Sequence, residues 1–153
     1  MNFFVPGKPI GQGRISTFQG RSVHSNAKEL LPWRELVGWI GRKNFRATPI
    51  PKDEAVWIRY EFVFLKPKSV KRDELTVKPD LDHLTRSCGD ALSGIIYRDD
   101  SQVTLTFATK RYGEVEGVHI TILTKSIVEQ SYDRLALADR DFYRIIQELS
   151  PDS

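Results

Sequence analysis

Five aspartates lie close together in the middle of the sequence, and their carboxylates are the groups best suited to chemistry. Asp80 and Asp82 open this stretch, Asp90 follows, and Asp99 and Asp100 stand side by side at its end. Residues 80–102 carry a net charge of −3, whereas residues 1–79 carry 15 Lys+Arg and 7 Asp+Glu. Carboxylates beside a polyanion repel it unless a cation intervenes. The pattern therefore predicts a cation site beside a polyanion-binding surface, with a solvated surface of mixed charge as the alternative.

Helical spacing predicts the direction in which each of these carboxylates points. Pro79 and Asp80 open a predicted helix whose apolar stripe consists of Leu81, Leu84, Cys88, Ala91 and Leu92. Asp82 and Arg86 are four residues apart and share one face of this helix, and Asp90 lies one further turn along. Side chains two residues apart point in different directions, so Asp80 reaches the same pocket as Asp82 only from an extended N-cap position.

Each of these residues also has an ordinary structural interpretation. Asp80 can be an N-cap alone, Asp82 and Arg86 a surface pair worth roughly 0.3–0.5 kcal/mol, and the later aspartates turn residues. If three carboxylates converge to about 5 Å, however, each pair repels by roughly 3 kcal/mol at an effective dielectric near 20. A set of oxygen ligands without cysteine favours Mg²⁺ or Mn²⁺ as the compensating ion. Convergence itself is a property of the tertiary structure.

The elements that must position these residues form an α+β pattern. Helical spacing predicts a helix over about residues 26–45, and alternation predicts strands at residues 2–5 and 55–65. Residues 102–110 and 117–124 alternate as well, and we expect them to pair as antiparallel strands around Tyr112 and Gly113. A last amphipathic helix is predicted near residues 127–149. The pattern indicates a single domain, a small mixed or antiparallel sheet flanked by helices.

Composition excludes several classes of protein. The chain of 153 residues is long enough for one folded domain, and its single cysteine rules out internal disulfides and a cysteine-built zinc site. No apolar run approaches the roughly 20 residues that span a bilayer, and the first residues lack the features of a signal peptide. The glycine-lysine pattern of a nucleotide-binding P-loop is absent from the sequence. We therefore expect a soluble, cytoplasmic protein without a nucleotide cofactor.

Three short motifs occur together in the acidic stretch. They are D-x-D at residues 80–82, D-A-L at residues 90–92 and D-D-x-Q at residues 99–102. From Lys78 to Val103 the sequence resembles the signature of the RusA-type Holliday junction resolvases, which are crossover junction endodeoxyribonucleases. Gly7-Lys8-Pro9-Ile10, with Gly13-Arg14, resembles the basic N-terminal loop of that family. The resemblance spans about residues 2–124, which indicates an endonuclease domain at residues 1–125 and a helical extension at residues 126–153.

The resemblance implies a homodimeric, metal-dependent hydrolase of bacterial or phage origin that cuts four-way DNA junctions in recombination and repair. It implies that Asp80, Asp82 and Asp100 are catalytic and bind Mg²⁺ or Mn²⁺, with Asp99 as a weaker candidate for a metal ligand. Arg86 stands where the family has an essential lysine; it cannot release its proton, but it can bind a phosphate bidentately. His83 replaces a family asparagine, and a hydrogen-bonding helix residue is favoured over a metal ligand at this position.

The basic half of the chain is predicted to bind DNA. Its candidate phosphate contacts are basic residues in predicted loops, namely Lys8, Arg14, Arg21, Lys66, Lys68, Lys71 and Arg72. For each of them solubility is the alternative role. A twofold-symmetric dimer matches the symmetry of a four-way junction and would deliver two symmetric cuts. Two other functions stay open: a module that binds branched DNA without cutting it, and a metal-dependent nuclease of flaps or single strands.

Overall fold

The computed structural model describes residues 1–18, 20–131 and 140–144 of the chain. In chain order its elements are β1 (Asn2–Pro6), β2 (Ile15–Phe18), β3 (Arg21–His24), α1 (Ala27–Asn44), β4 (Val56–Leu65), α2 (Leu81–Leu92), a 3₁₀ turn (Asp100–Gln102), β5 (Val103–Gly113), β6 (Gly117–Leu123) and α3 (Lys125–Ser131). Strands β2 and β3 form a separate two-stranded hairpin. The other strands form the main sheet. The expected α+β class and single domain are confirmed.

The main sheet is mixed, and its strand order is β1-β6-β4-β5. Strand β4 pairs with β6 in antiparallel orientation and with β5 in parallel orientation. The predicted pairing of β5 with β6 is therefore wrong, because β4 lies between them. The reason is burial: β4 carries buried side chains on both faces, as at Phe62 and Val63, and so takes the centre of the sheet. Strand β5, which is half exposed along its length, lies at the edge.

Helices α1 and α2 cover one face of this sheet and form the main core with it. Buried side chains of α1 (Trp33, Val37) and of α2 (Leu84, Cys88, Leu92) pack in one cluster with Tyr60 and Phe62 of β4. The two helices approach closely at Gly41, where an added Cβ would lie 2.8 Å from Cδ2 of Leu92. The first helix begins and ends within one residue of its predicted bounds, and the predicted apolar stripe of α2 faces the core.

The C-terminal part of the chain packs on the opposite face of the sheet. Leu123, Val128 and Phe142 are buried together there, and the ring of Phe142 lies 6.3 Å from the ring of Phe107. The predicted last helix is observed as α3 and as a helical stretch at residues 140–144; its remaining predicted residues lie outside the described part of the chain. Among the helices of the described residues, none is both long and apolar enough to cross a bilayer.

Truncating Phe142 should destabilise the whole domain, because its ring is 3% exposed and the sheet cannot close fully over the lost volume. We expect Phe142→Ala to lower the free energy of unfolding by about 3 kcal/mol, measured by urea denaturation. Leu31→Ala serves as the control, since Leu31 is 52% exposed on α1 and its truncation should change stability by less than about 0.5 kcal/mol. Equal stability of Phe142→Ala and the parent would show that the C-terminal residues contribute nothing to the core.

Candidate active site

A cleft of about 280 Å³ lies between α2 and the beginning of β5. We call it the acidic cleft. Charged side chains of α2 and the 3₁₀ turn line the cleft together with hydroxyl and apolar groups. The lining residues are Asp82, Thr85, Arg86, Gly89, Asp90, Asp100, Ile58, Tyr60, Tyr97, Val103 and Thr106. The cleft thus brings together Asp82, Arg86 and Asp100, which the sequence separates.

Asp80 lies beside this cleft and lines a neighbouring pocket. It occupies the N-cap position of α2 with the extended backbone that we expected, at φ −73° and ψ 140°. Its exposed carboxylate makes no side-chain capping hydrogen bond, so capping is not its role here. Asp82 follows on the first turn of the helix and points in a different direction, into the acidic cleft.

The structure places Asp82 and Asp100 in one cleft and Asp80 in the neighbouring pocket, and the expected meeting of the three carboxylates around one ion stays a prediction. Within the described residues, no three His, Cys, Asp or Glu side chains come close enough to hold one metal ion together. The separation of Asp80 from Asp82 by two helical positions is the physical reason. Magnesium nevertheless keeps several of its waters and commonly takes only one or two protein carboxylates, with substrate phosphates completing its shell. Asp82 and Asp100, which share the acidic cleft, therefore fit such an ion.

The position of Asp100 is set by a capping box around the 3₁₀ turn. Asp99 accepts hydrogen bonds from the backbone N–H and the hydroxyl of Ser101, at 3.0 and 2.7 Å. The buried Gln102 accepts a hydrogen bond from the backbone N–H of Asp99, at 3.0 Å. The Gln102 amide also donates to the carbonyls of Ile50, Pro51 and Glu54. These bonds fix the turn to the chain before β4, so the first residue of the turn, Asp100, is presented to the cleft.

The carboxylate of Asp99 takes part in the capping box and in an ion pair. Besides its bonds to Ser101, its carboxylate pairs with Lys52 at 3.3 Å. The hydrogen bonds from Ser101, together with Lys52, lower the pKa of Asp99 from 3.8 to about 2. Asp99 is absent from the lining of the acidic cleft. The capping box thus makes Asp99 a residue that positions Asp100, and its role as a weaker candidate for a metal ligand stays a prediction.

Asp90 has a protein cation of its own. The guanidinium of Arg34 on α1 donates to its carboxylate at 2.5 Å, and the Arg34 side chain is only 19% exposed. This pair links the two helices and neutralises one carboxylate of the cleft. Among the described residues, no ion pair from a protein cation reaches Asp100, and Asp82 has only His83, whose Nε2 lies 3.6 Å from its Oδ2. These two carboxylates are the ones left to a bound cation.

Two buried tyrosines form the floor of the acidic cleft. Burial raises the pKa of Tyr97, and the negative charges of Asp100 and Asp90 raise it further. Burial also raises the pKa of Tyr60. The phenols therefore stay protonated at neutral pH, and the Tyr97 hydroxyl donates a hydrogen bond to the carbonyl of Gly89 at 2.8 Å. Tyr97 is a structural donor rather than a base, and its bond to Gly89 holds α2 against the floor of the cleft.

A second pocket, of about 540 Å³, lies at the beginning of α2. We call it the basic-loop pocket, because Lys8, Arg14 and Lys78 line it together with Asp80 and His83. The loop between β1 and β2 is held there by main-chain and side-chain bonds. The Gln12 N–H donates to the His83 carbonyl at 3.0 Å, and Asn26 bridges Gly11 and Gly13 at 2.9 and 2.8 Å. The pocket therefore places basic side chains directly beside Asp80.

The other predicted DNA-binding residues lie farther from the two pockets. Arg21 is the first residue of β3 in the exposed hairpin, which corrects its expected place in a loop. Lys66 follows β4 and pairs with Asp73 at 2.9 Å. The remaining three are exposed in the chain between β4 and α2: Lys68, Lys71 and Arg72. Only Lys8 and Arg14 of the predicted set stand within the basic-loop pocket.

Sequence reasoning missed three residues that position the site. They are Arg34, which pairs with Asp90; Asn26, which braces the basic loop; and Lys110, which bonds two carbonyls just before Asp80. Asn26 occupies the position at which the sequence predicts the beginning of a helix, but its side chain bonds the loop instead of capping α1. The partners of Arg34 and Lys110 are distant in sequence and left no local signal.

Comparison with known proteins identifies a family and a relative. The sequence model of the family described as "Endodeoxyribonuclease RusA" matches residues 6–123. A curated protein of Bacillus subtilis (strain 168), described as "Uncharacterized protein YqaN", is 29% identical over 140 residues, which cover 80% of this chain and 94% of that protein. The matched range of the family includes every residue that lines the acidic cleft and the basic-loop pocket.

The lowered pKa of Asp99 predicts a specific dependence of stability on pH. Because its pKa is depressed to about 2, the stabilisation is complete above its ordinary pKa of 3.8 and is lost as the pH falls toward 2. Asp99→Asn should therefore be less stable than the parent at about pH 5, and the difference should shrink at about pH 2.5. Urea denaturation at both pH values measures it. The exposed Asp53→Asn is the control, and a difference for Asp99→Asn that is constant with pH would contradict the assignment.

Proposed function

Since the family match covers most of its length, the chain belongs to the RusA endodeoxyribonuclease family, and we propose that it is a structure-selective nuclease that cuts four-way (Holliday) DNA junctions with Mg²⁺ or Mn²⁺. The proposed reaction is phosphodiester hydrolysis, and its proposed place is the resolution of junctions in recombination and repair. One observation carries the proposal. Among the described residues, the acidic cleft joins two carboxylates without a lysine or arginine partner to an arginine that can hold a phosphate.

Asp82 and Asp100 are the proposed ligands of the divalent cation. They approach the cleft from different elements, one from a helix and one from a turn, and each element is fixed by core packing or by the capping box. When bound, the cation supplies Lewis acidity and a nucleophile that is available at neutral pH. Asp80 completes the proposed catalytic set from the adjoining basic-loop pocket, where it borders the predicted path of the DNA backbone.

We propose that Arg86 stabilises the negative charge that develops on the scissile phosphate. It lies one turn after Asp82 on α2 and is exposed to the cleft, so a phosphate oxygen can reach its guanidinium. Arginine presents a fork of donors that matches a phosphate bidentately, and it stays charged at every working pH. It therefore stabilises negative charge in the transition state and does not transfer a proton.

The basic residues are proposed to bind the junction. Lys8 and Arg14 support this most directly, because the basic-loop pocket places them beside Asp80 at the beginning of α2. We propose that four other exposed residues contact flanking phosphates: Arg21, Lys68, Lys71 and Arg72. A twofold-symmetric homodimer would place one acidic cleft at each of two related strands of the junction. We further propose residues 1–125 as the nuclease domain and residues 126–153 as an extension of it.

Asp82→Asn should retain junction binding and lose at least about a hundredfold in cleavage rate, because an amide is a poor ligand for the divalent cation. The measurement is cleavage of a labelled four-way junction in Mg²⁺, with binding followed in Ca²⁺ by a mobility shift. Asp73→Asn removes an aspartate that is 97% exposed and lies outside the cleft, so it should cleave at the parental rate.

Two results would contradict the proposal. Cleavage by Asp82→Asn at the parental rate would remove this residue from the site. If the parent protein binds the junction but does not cut it in Mg²⁺ or Mn²⁺, it is a binding module. If it cuts a flap or a single strand faster than the junction, it is a nuclease of another specificity. The same substrates, compared side by side, distinguish these outcomes.

Junction binding should weaken with salt in proportion to the number of phosphates that the protein neutralises. With about six contacts, the slope of log K against log salt concentration is expected near −5. Arg14→Ala should reduce the size of this slope by about 0.9, the effect of one contact. Lys66→Ala should change it less, because Lys66 already pairs with Asp73. Identical slopes for Arg14→Ala and the parent would exclude Arg14 from the interface.

A further inference from the structure

Lys110 on β5 makes two hydrogen bonds to the main chain that leads into α2. Its Nζ donates to the carbonyl of Val77 at 2.8 Å and to the carbonyl of Pro79 at 2.9 Å. Residues 77–79 belong to no helix or strand, so no ladder of backbone bonds holds them in place. Lys110 is therefore a tie between the edge strand of the sheet and the residue directly before Asp80.

This tie holds the chain next to the helix that forms one side of the acidic cleft. Near the end of α2, Asp90 lines the cleft together with Asp100, and directly before the beginning of α2 the carbonyls of Val77 and Pro79 are bonded to Lys110. The capping box fixes the cleft at the Asp100 end. The bonds from Lys110 hold the main chain directly before Asp80 and α2, and the first turn of this helix carries Asp82, which lines the cleft.

Helix stability alone does not explain this arrangement. The beginning of a helix carries the positive end of the helix dipole, so an ammonium placed there is electrostatically unfavourable. The lysine nevertheless directs two of its three donors to the carbonyls that precede the helix. The two hydrogen bonds of Lys110 therefore serve to position the chain, because they hold a segment without regular structure against the sheet.

We propose that Lys110 is a positioning residue of the nuclease, which sets the distance between the carboxylates at the beginning of α2 and those at the beginning of β5. The inference rests on the proposed function, since it concerns the same cation and the same cleft. Lys110 touches neither the cation nor the phosphate in this role. It acts through the main chain of Val77 and Pro79, and its loss widens the cleft and weakens the hold on the cation.

The test uses Lys110→Met, which keeps the length of the side chain and removes its donors. We expect Mn²⁺ to bind this variant about tenfold more weakly than the parent in the absence of DNA, measured by isothermal titration. Junction cleavage should need a correspondingly higher Mn²⁺ concentration and recover toward the parental rate at saturation. Lys110→Arg retains donors and should restore most of the affinity. Binding of the junction in Ca²⁺ should stay at the parental level.

Arg111→Met is the matched control. It removes the same charge from the next residue of β5, but the side chain of Arg111 bonds Glu61, at 2.6 and 2.9 Å, instead of residues 77–79. Its Mn²⁺ affinity should equal that of the parent. Melting temperatures are measured first, and Lys110→Gln replaces the methionine variant if the latter does not fold.

The outcomes separate the inference from the function on which it rests. Parental Mn²⁺ affinity in Lys110→Met, or an equal loss in Arg111→Met, would overturn the positioning role while the parent still cuts junctions. Failure of Lys110→Arg to restore any affinity would overturn it as well. A parent that neither binds Mn²⁺ nor cuts a junction would instead overturn the proposed function.

Discussion

Repulsion among carboxylates is the constraint around which this site is built. Asp82, Asp90 and Asp100 line one small cleft, and like charges that share a cleft cost free energy unless cations or hydrogen bonds offset them. The protein offsets part of this charge itself, because Arg34 pairs with Asp90. Outside the cleft lining, Lys52 and Ser101 do the same for the neighbouring Asp99. In the described part of the chain, two carboxylates without such partners are left facing the cleft. Their uncompensated charge is the basis of the proposed affinity of the cleft for a divalent cation.

The carboxylates keep this arrangement because the elements that carry them are rigid. The buried face of α2 packs against β4 and α1, and the Tyr97 hydroxyl bonds the main chain of the helix at Gly89. The turn that presents Asp100 is anchored by Gln102, which is only 4% exposed. The D-D-x-Q motif thus has a physical explanation: its first and last residues build the turn, and its second residue lines the acidic cleft. Its four positions therefore include both the residues that build the turn and the aspartate that faces the cleft.

The sequence predicted the parts of the fold that local periodicity controls. Apolar residues at helical spacing located α1 and α2, and alternation located β4, because burial on one side of an element imposes its own period. The pairing of strands was not predictable in the same way. Strands β5 and β6 are close in sequence and separated by a short turn, yet β4 lies between them, since the strand buried on both faces takes the centre of the sheet. Burial on two faces depends on elements elsewhere in the chain.

For the site, residue types and their spacing identified the candidate carboxylates and the candidate arginine and predicted which of them share a helical face. Side-chain direction on one helix follows from spacing alone, so the four-residue interval between Asp82 and Arg86 is enough to put them on a common face. Packing between distant segments brings Asp100 into the same cleft and turns Asp80 toward the basic-loop pocket. It also brings Arg34 to Asp90 and Lys110 to the main chain before Asp80. The physical reason is that contacts between distant segments depend on how helices and sheet pack together, which spacing along the chain does not encode.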